Sequence, residues 1–243
     1  MHIVHKAERT AGRRRKSVEL NTDANTAART ETPESWTIPA DLRACLGAET
    51  PTSVVALGNR DILSAQTLAL FCSVQCPGRL ILQTYDLALA LQKTDLAVAG
   101  GFHTPMEKEC LTLLLRGTQP VVVCPARSIA GMRVPAAYRK PLTDGRLLLL
   151  SPFEEKRCRV TAQMGAIRNR FVAALADEVF VAHAAAGSRT EQLCREVLGW
   201  GKPLLTLDRP ENAGLVEMGA VPVTPETVAQ HLANIPCPHT EFG

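Results

Sequence analysis

Two stretches of this 243-residue chain repeat one chemical pattern at an offset of 84 residues. In the first, Gly100, Gly101, Phe102, His103, Thr104, Pro105, Met106 and Glu107 follow an apolar run, and Cys110 comes three residues later. In the second, Ala184, Ala185, Ala186, Gly187, Ser188, Arg189, Thr190 and Glu191 follow an apolar run, and Cys194 comes three residues later. Small residues let a phosphate approach the backbone closely, and a helix N-terminus offers N–H donors and partial positive charge. The pattern therefore suits anion binding. Thr104 with Glu107, and Ser188 with Glu191, also have the spacing of capping boxes, and Pro105 fits the first helical position. Each glutamate is thus read either as a cap or as a carboxylate free for acid–base work. His103 is read either as a phosphate ligand or as an incidental loop residue.

A second concentration of chemistry lies between these loops and beyond the first. Residues 116–170 carry eleven Lys or Arg and three Asp or Glu, a net +8 within a chain of net +3. Arg outnumbers Lys in this stretch, which favours bidentate phosphate contacts. A concentrated basic stretch suits a polyanion: nucleic acid, nucleotide or a phosphorylated ligand. Arg168, Asn169 and Arg170 sit within a helical pattern whose apolar face includes Ile167, Phe171, Ala174 and Leu175. Arg168 either reaches back to the loops or snorkels to water.

The elements that must position these residues alternate along the chain. Apolar runs at 53–57, 80–82, 96–99, 120–124, 147–150, 179–182 and 204–207 read as strands. Helical patterns read at 64–72, 85–92, 104–116, 161–176, 188–199 and 211–218, and a short helix starts near Pro39. Short apolar strands without polar alternation mark a sheet buried on both faces. The expected fold is α/β: a doubly wound, mostly parallel sheet over about 50–235. In such a sheet, ligands bind outside the carboxyl ends of the strands, where both loops fall.

Composition narrows the function classes. No run of about 18 apolar residues spans a membrane, and the N-terminus has no apolar core of a secretory signal. A cytoplasmic location is expected. Aromatic residues make up 4%, which argues against base-stacking platforms. Residues 1–35, with Arg13, Arg14, Arg15 and Lys16 but almost no large apolar residues, are expected to form a disordered basic tail. The eight cysteines read mostly as buried small apolar groups in a reducing compartment. Cys72 and Cys76 form a C-x3-C pair, read as structural, with a redox or metal role as the alternative. No second ligand pair completes a zinc site, so neither a metal nor a cofactor is expected.

Several of these residues together resemble the DprA/Smf family. They are Gly58, Asn59 and Arg60 after a strand, the loop 100–107, the segment 146–153, the Arg168-Asn169-Arg170 helix, and Gly187 and Ser188 after the next strand. The resemblance covers about 53–223. It implies an extended Rossmann-like fold, single-stranded DNA binding, a role in DNA processing, and a recombinase partner. It also implies a non-enzymatic ligand site at the sheet's carboxyl edge, formed by Gly58, Arg60, Gly100, Gly101, His103, Thr104, Arg168, Asn169, Arg170, Gly187 and Ser188. The loop departs from the family's S-G-x-A-x-G-I-D form.

A related superfamily, the LOG or lysine-decarboxylase-like phosphoribohydrolases, resembles residues 187–191 and 100–107. That resemblance implies hydrolysis of nucleoside 5′-monophosphates, with Glu107 or Glu191 assisting water and Arg168 holding phosphate. A third reading is a ligand-sensing or scaffold domain whose loops only cap helices. The chain is expected to form a homodimer.

Overall fold

The structure is a computed structural model that describes residues 38–153 and 160–228. The expected tail lies outside the described residues, as do the last residues of the expected domain. Within them, eight strands form one sheet in the order β1-β5-β4-β3-β2-β6-β7-β8. The strands are β1 (Val55–Gly58), β2 (Thr67–Phe71), β3 (Ala97–Gly100), β4 (Val121–Val123), β5 (Leu147–Ser151), β6 (Glu178–Val181), β7 (Leu204–Leu207) and β8 (Val221–Val223). Only β1, at one edge, runs antiparallel to its neighbour; all other pairs are parallel. The expected doubly wound, mostly parallel α/β sheet is the one observed.

Strand alternation builds two cores. Along β2, Ala69 and Phe71 face one apolar cluster, and Leu68 and Leu70 face the other. Helices α2 (Gly78–Leu91), α3 (Pro105–Leu114) and α4 (Ala136–Thr143) cover the Leu68 side. Helices α1 (Ala40–Leu46), α5 (Ala162–Leu175), α6 (Arg189–Gly199) and α7 (Ala213–Met218) cover the Phe71 side. Handedness explains the division. The chain steps from β2 to β5 in one direction with helices on one face. At α5 it crosses back to β6 on the far side of β2, and right-handed crossovers then require the other face. Leu147, Leu148, Leu149 and Leu150 are all 0% exposed, so β5 is covered on both sides. Burying one such leucine contributes roughly 1.5–3 kcal/mol.

Two segments differ from the sequence reading. Residues 64–72, expected as a helix, hold β2, and residues 80–82, expected as a strand, lie inside α2. The Leu-Ala-Leu run of β2 has good helix formers, but all five β2 residues are buried, and a central strand position outweighs propensity. Pro77 is the N-cap of α2 rather than a turn before a strand. Two short elements, α4 and β8, had no counterpart in the sequence reading. Pro141 lies inside α4, and Pro222 lies inside β8 at the sheet edge, so each breaks the usual local pattern.

The strand order reverses at β2, whose neighbours are β3 and β6. The loops after these three strands therefore meet at the carboxyl edge, at the switch point where open α/β sheets bind ligands.

Candidate functional site

The site is built around the residues that leave β2. Cys72 donates its backbone N–H to Glu107 Oε1 at 2.9 Å, which ties it to the loop after β3. Ser73 donates its N–H to the His183 carbonyl at 2.9 Å, which ties it to the loop after β6. Its hydroxyl accepts from the Ala185 N–H at 3.1 Å and lies 3.3 Å from Ser188 Oγ. The β2 exit is thus the hub joining the two loops that the sequence pattern singled out. Sequence reading missed Ser73 because β2 was read as a helix, which hid the strand end.

The first loop is closed. Thr104 Oγ1 accepts from the Glu107 N–H at 3.2 Å, and Glu107 Oε2 accepts from the N–H groups of His103 at 2.8 Å and Thr104 at 3.2 Å. With Cys72, three backbone donors end on one carboxylate that is 5% exposed. Both oxygens of Glu107 are committed to holding the loop. Phe102 folds back over Gly100 with φ 44°, a strained value for a residue with a Cβ. A side chain at Gly100 would come within 2.9 Å of the Phe102 ring.

Arg168 completes this loop from α5. Thr161 caps α5 by accepting from the Met164 N–H at 3.1 Å, which sets the helix so that Arg168 points at the sheet edge. The guanidinium lies against Gly101, where any Cβ would collide with it. Its Nη1 donates to the Cys124 carbonyl at 2.9 Å, beyond the end of β4, and its Nε donates to Asn169 Oδ1 at 2.7 Å. Arg168 is 4% exposed. Burial lowers its pKa, and the negative charge of Glu107 acts in the opposite sense. Glycine at 101 is therefore required by the close approach of Arg168.

The second loop is open. Ser188 caps α6 by accepting from the Glu191 N–H at 3.1 Å. Glu191 Oε2 accepts from the Gly187 N–H at 2.8 Å, and its Oε1 pairs with Arg195 at 3.2 Å. Gly187 takes φ 71°, a left-handed value that glycine adopts without strain. Ala186 and Gly187 are exposed, and Ser188 is half-buried. Asn212 anchors the base of this loop. Its Nδ2 donates to the carbonyls of Ala182 at 3.0 Å and Leu207 at 3.2 Å, and its Oδ1 lies 3.0 Å from His183 Nδ1. No sequence signal marked Asn212, because it sits in a short Pro-Glu-Asn turn whose partners come from two other strands.

The structure brings Gly100, Gly101, His103, Thr104, Arg168, Gly187 and Ser188 to one edge. It does not bring Gly58 and Arg60 there. Because β1 is antiparallel, Gly58 pairs with Leu148, and the Asn59 side chain donates to the Gly145 carbonyl at 3.1 Å, before β5 begins. Both residues stand at the amino edge, on the opposite side of the sheet from the loops. Arg170 is also turned away. It pairs with Glu49 and, at 2.6 Å, with Glu196, and its guanidinium lies 6.0 Å from the Trp200 ring centroid. Asn169 acts on Arg168 rather than outward.

The basic stretch divides in the same way. Arg127, Arg133 and Arg168 belong to the carboxyl edge, whereas Arg146 donates to the Leu115 carbonyl at the amino edge. Lys140 pairs with Asp144 at 2.8 Å on α4. Lys156, Arg157 and Arg159 lie outside the described residues. Among the described residues, no group of three or more His, Cys, Asp or Glu is placed to hold a metal ion. Among the described residues, no helix is long and apolar enough to cross a membrane.

No family model matches the sequence, and no curated protein matches it by sequence. Solved structures match the fold. DNA processing protein A (DprA) from Streptococcus pneumoniae aligns over 86% of this chain and 77% of its own, with 19% identity and a TM-score of 0.66. DNA processing protein A from Helicobacter pylori, described for its single-stranded DNA binding mode, aligns over 82% of this chain and 94% of its own, with 20% identity and a TM-score of 0.67. The chain has the extended Rossmann-like fold of the DNA processing protein A structures, which is the fold that its sequence resemblance implied.

Proposed function

We propose that this protein binds single-stranded DNA through its sugar–phosphate backbone at the carboxyl edge of the sheet, and that it does so without chemical transformation. The observation that carries this reading is the pairing of Ser73 with Ser188 at the switch point, where the loops after β2 and β6 meet. There the N-terminus of α6, capped by Ser188, stands beside the end of β2. Arg168, with Nε and Nη1 committed to protein acceptors, braces the neighbouring loop. Support for a nucleic-acid ligand comes from the fold shared with a protein described for single-stranded DNA binding. The low aromatic content favours phosphate contacts over base stacking.

The hydrolase reading has less support. Glu107 and Glu191 both spend their carboxylate oxygens on backbone N–H groups or an arginine, so neither is free to activate water. Fluorescence anisotropy with a labelled oligonucleotide tests the DNA reading. Binding should weaken steeply and log-linearly with salt as counterions are released. Absence of binding at low salt overturns it.

The expected homodimer finds support on α2. Leu82 is 65% and Leu89 47% exposed on one face, flanked by Arg79 and Asp86. Antiparallel pairing about a two-fold axis between Leu82 and Gln83 sets Arg79 beside the partner's Asp86. Sedimentation of Leu82→Glu against the parent chain tests this surface, and an unchanged mass in a dimeric protein overturns it.

A further inference from the structure

His183 and Asn212 stand beside the proposed phosphate contacts and take no part in them. His183 is the second residue after β6, and Asn212 ends the short turn after β7. Asn212 is 1% exposed, and its side-chain amide is fully used. One end faces two backbone carbonyls, those of Ala182 and Leu207. A carbonyl only accepts, so that end must be the Nδ2 amide nitrogen, and the side chain cannot be turned over. Oδ1 is then the atom 3.0 Å from His183 Nδ1. An amide oxygen also only accepts, so Nδ1 must carry a proton. In the neutral imidazole this leaves Nε2 as a lone-pair acceptor. Nε2 is neither sealed from solvent nor bonded to any described residue. The same contacts place the ring. Asn212 lies against the carboxyl ends of β6 and β7, so the imidazole sits over that edge. The His183 carbonyl is tied to Ser73 at the switch point, and the α6 cap Ser188 follows five residues later.

We propose that His183 is a nucleobase contact, whose Nε2 accepts a hydrogen bond from an amino or imino N–H of a base in the bound strand. Asn212 is the positioning residue that fixes the tautomer. This inference rests on the single-stranded DNA reading and adds a base-reading group to it. A lone-pair acceptor has no use for a phosphate, which itself only accepts. The deoxyribose inside a strand carries no hydroxyl. The donors that a DNA strand offers are therefore the N–H groups of its bases. With the backbone at the N-terminus of α6, a base over the ends of β6 and β7 meets the imidazole. Phosphate contacts hold the strand, and His183 reads a base edge. The contact is a hydrogen bond rather than a stacking platform, in keeping with the low aromatic content. The ring is also preorganised. Flipping it would set a C–H against Asn212 Oδ1 and strand a buried acceptor, so little orientational freedom is left to lose on binding.

Nitrogen NMR of the parent chain with isotope-labelled histidine tests this directly. The spectrum of His183→Phe identifies the His183 signals among those of the six histidines. At alkaline pH the neutral ring should show a protonated Nδ1 and an unprotonated Nε2. Adding single-stranded homopolymers should move the Nε2 resonance upfield for at least one base, as its lone pair accepts a hydrogen bond. An abasic oligonucleotide of the same length should bind and leave it in place. His183→Phe keeps a flat ring and removes the acceptor. In anisotropy it should bind the base-bearing oligonucleotide roughly three- to tenfold more weakly, the worth of one hydrogen bond, and the abasic one unchanged. A proton on Nε2 in the parent chain, an Nε2 resonance unmoved by every bound homopolymer, or equal losses on both oligonucleotides would each overturn this inference and leave the DNA reading standing. Absence of binding by any oligonucleotide overturns both.

Discussion

The loops after β3 and β6 share a sequence pattern and differ in what they do with it. After β3, Glu107 turns inward, gathers three backbone N–H groups and lies beside buried Arg168. After β6, Glu191 stays near the surface, holds one N–H and pairs with Arg195. The first loop is a clamp sealed by Phe102, and the second is an open helix terminus with exposed Ala186 and Gly187. One capping motif can thus serve as an internal brace or as an exposed helix terminus. The neighbouring helix decides which, because α5 lays Arg168 against the loop after β3.

The sharpest way to break this comparison is to truncate both glutamates. Glu107→Ala strands three donors at a buried position and removes the counter-charge of Arg168. It should cost about 4 kcal/mol in urea unfolding, at roughly 1–3 kcal/mol per orphaned buried group. Glu191→Ala should cost less than about 1 kcal/mol. Equal losses would mean that the loops are equivalent. Gly101→Ala forces Arg168 off the end of β3 and should cost about 2–3 kcal/mol. Gly187→Ala pays only for its left-handed backbone, about 1 kcal/mol.

A smaller contrast lies in the strands that feed the loops. β3 begins at Ala97, whereas β6 begins at Glu178, which is 1% exposed. Burial, with Asp177 adding, pushes the Glu178 pKa up to about 7. A raised folded-state value favours the protonated form. Its contribution to stability is therefore full below the ordinary carboxylate range and is lost as pH rises through about 7. Glu178→Gln should flatten the stability profile across that window and add about 1–2 kcal/mol at pH 8. An unchanged pH profile would contradict this.

Much of this architecture is legible in the chain itself. Both capped helix starts, the β5 leucine run and the α5 helix follow from local pattern. The failures have physical causes. The β2 run of Leu, Ala and Phe satisfies helical and buried-strand patterns alike, and only its place between β3 and β6 decides. Gly58 and Arg60 follow a strand as expected, but local sequence does not encode that β1 runs antiparallel, which carries them to the wrong edge. Arg170 is only two residues from Arg168, yet helical geometry turns it about 200° around the axis, toward Glu49 and Glu196. Ser73 and Asn212 were silent because their partners are distant in sequence.

The central claim is that the crevice between the two loops holds a DNA phosphate at the N-terminus of α6. Ser188→Asp tests it most directly. Aspartate caps a helix about as well as serine, so unfolding stability should change by only a few tenths of a kcal/mol. A negative charge there repels phosphate, and single-stranded DNA affinity measured by anisotropy should fall at least tenfold at low salt. Unchanged affinity in a variant of unchanged stability would contradict the account.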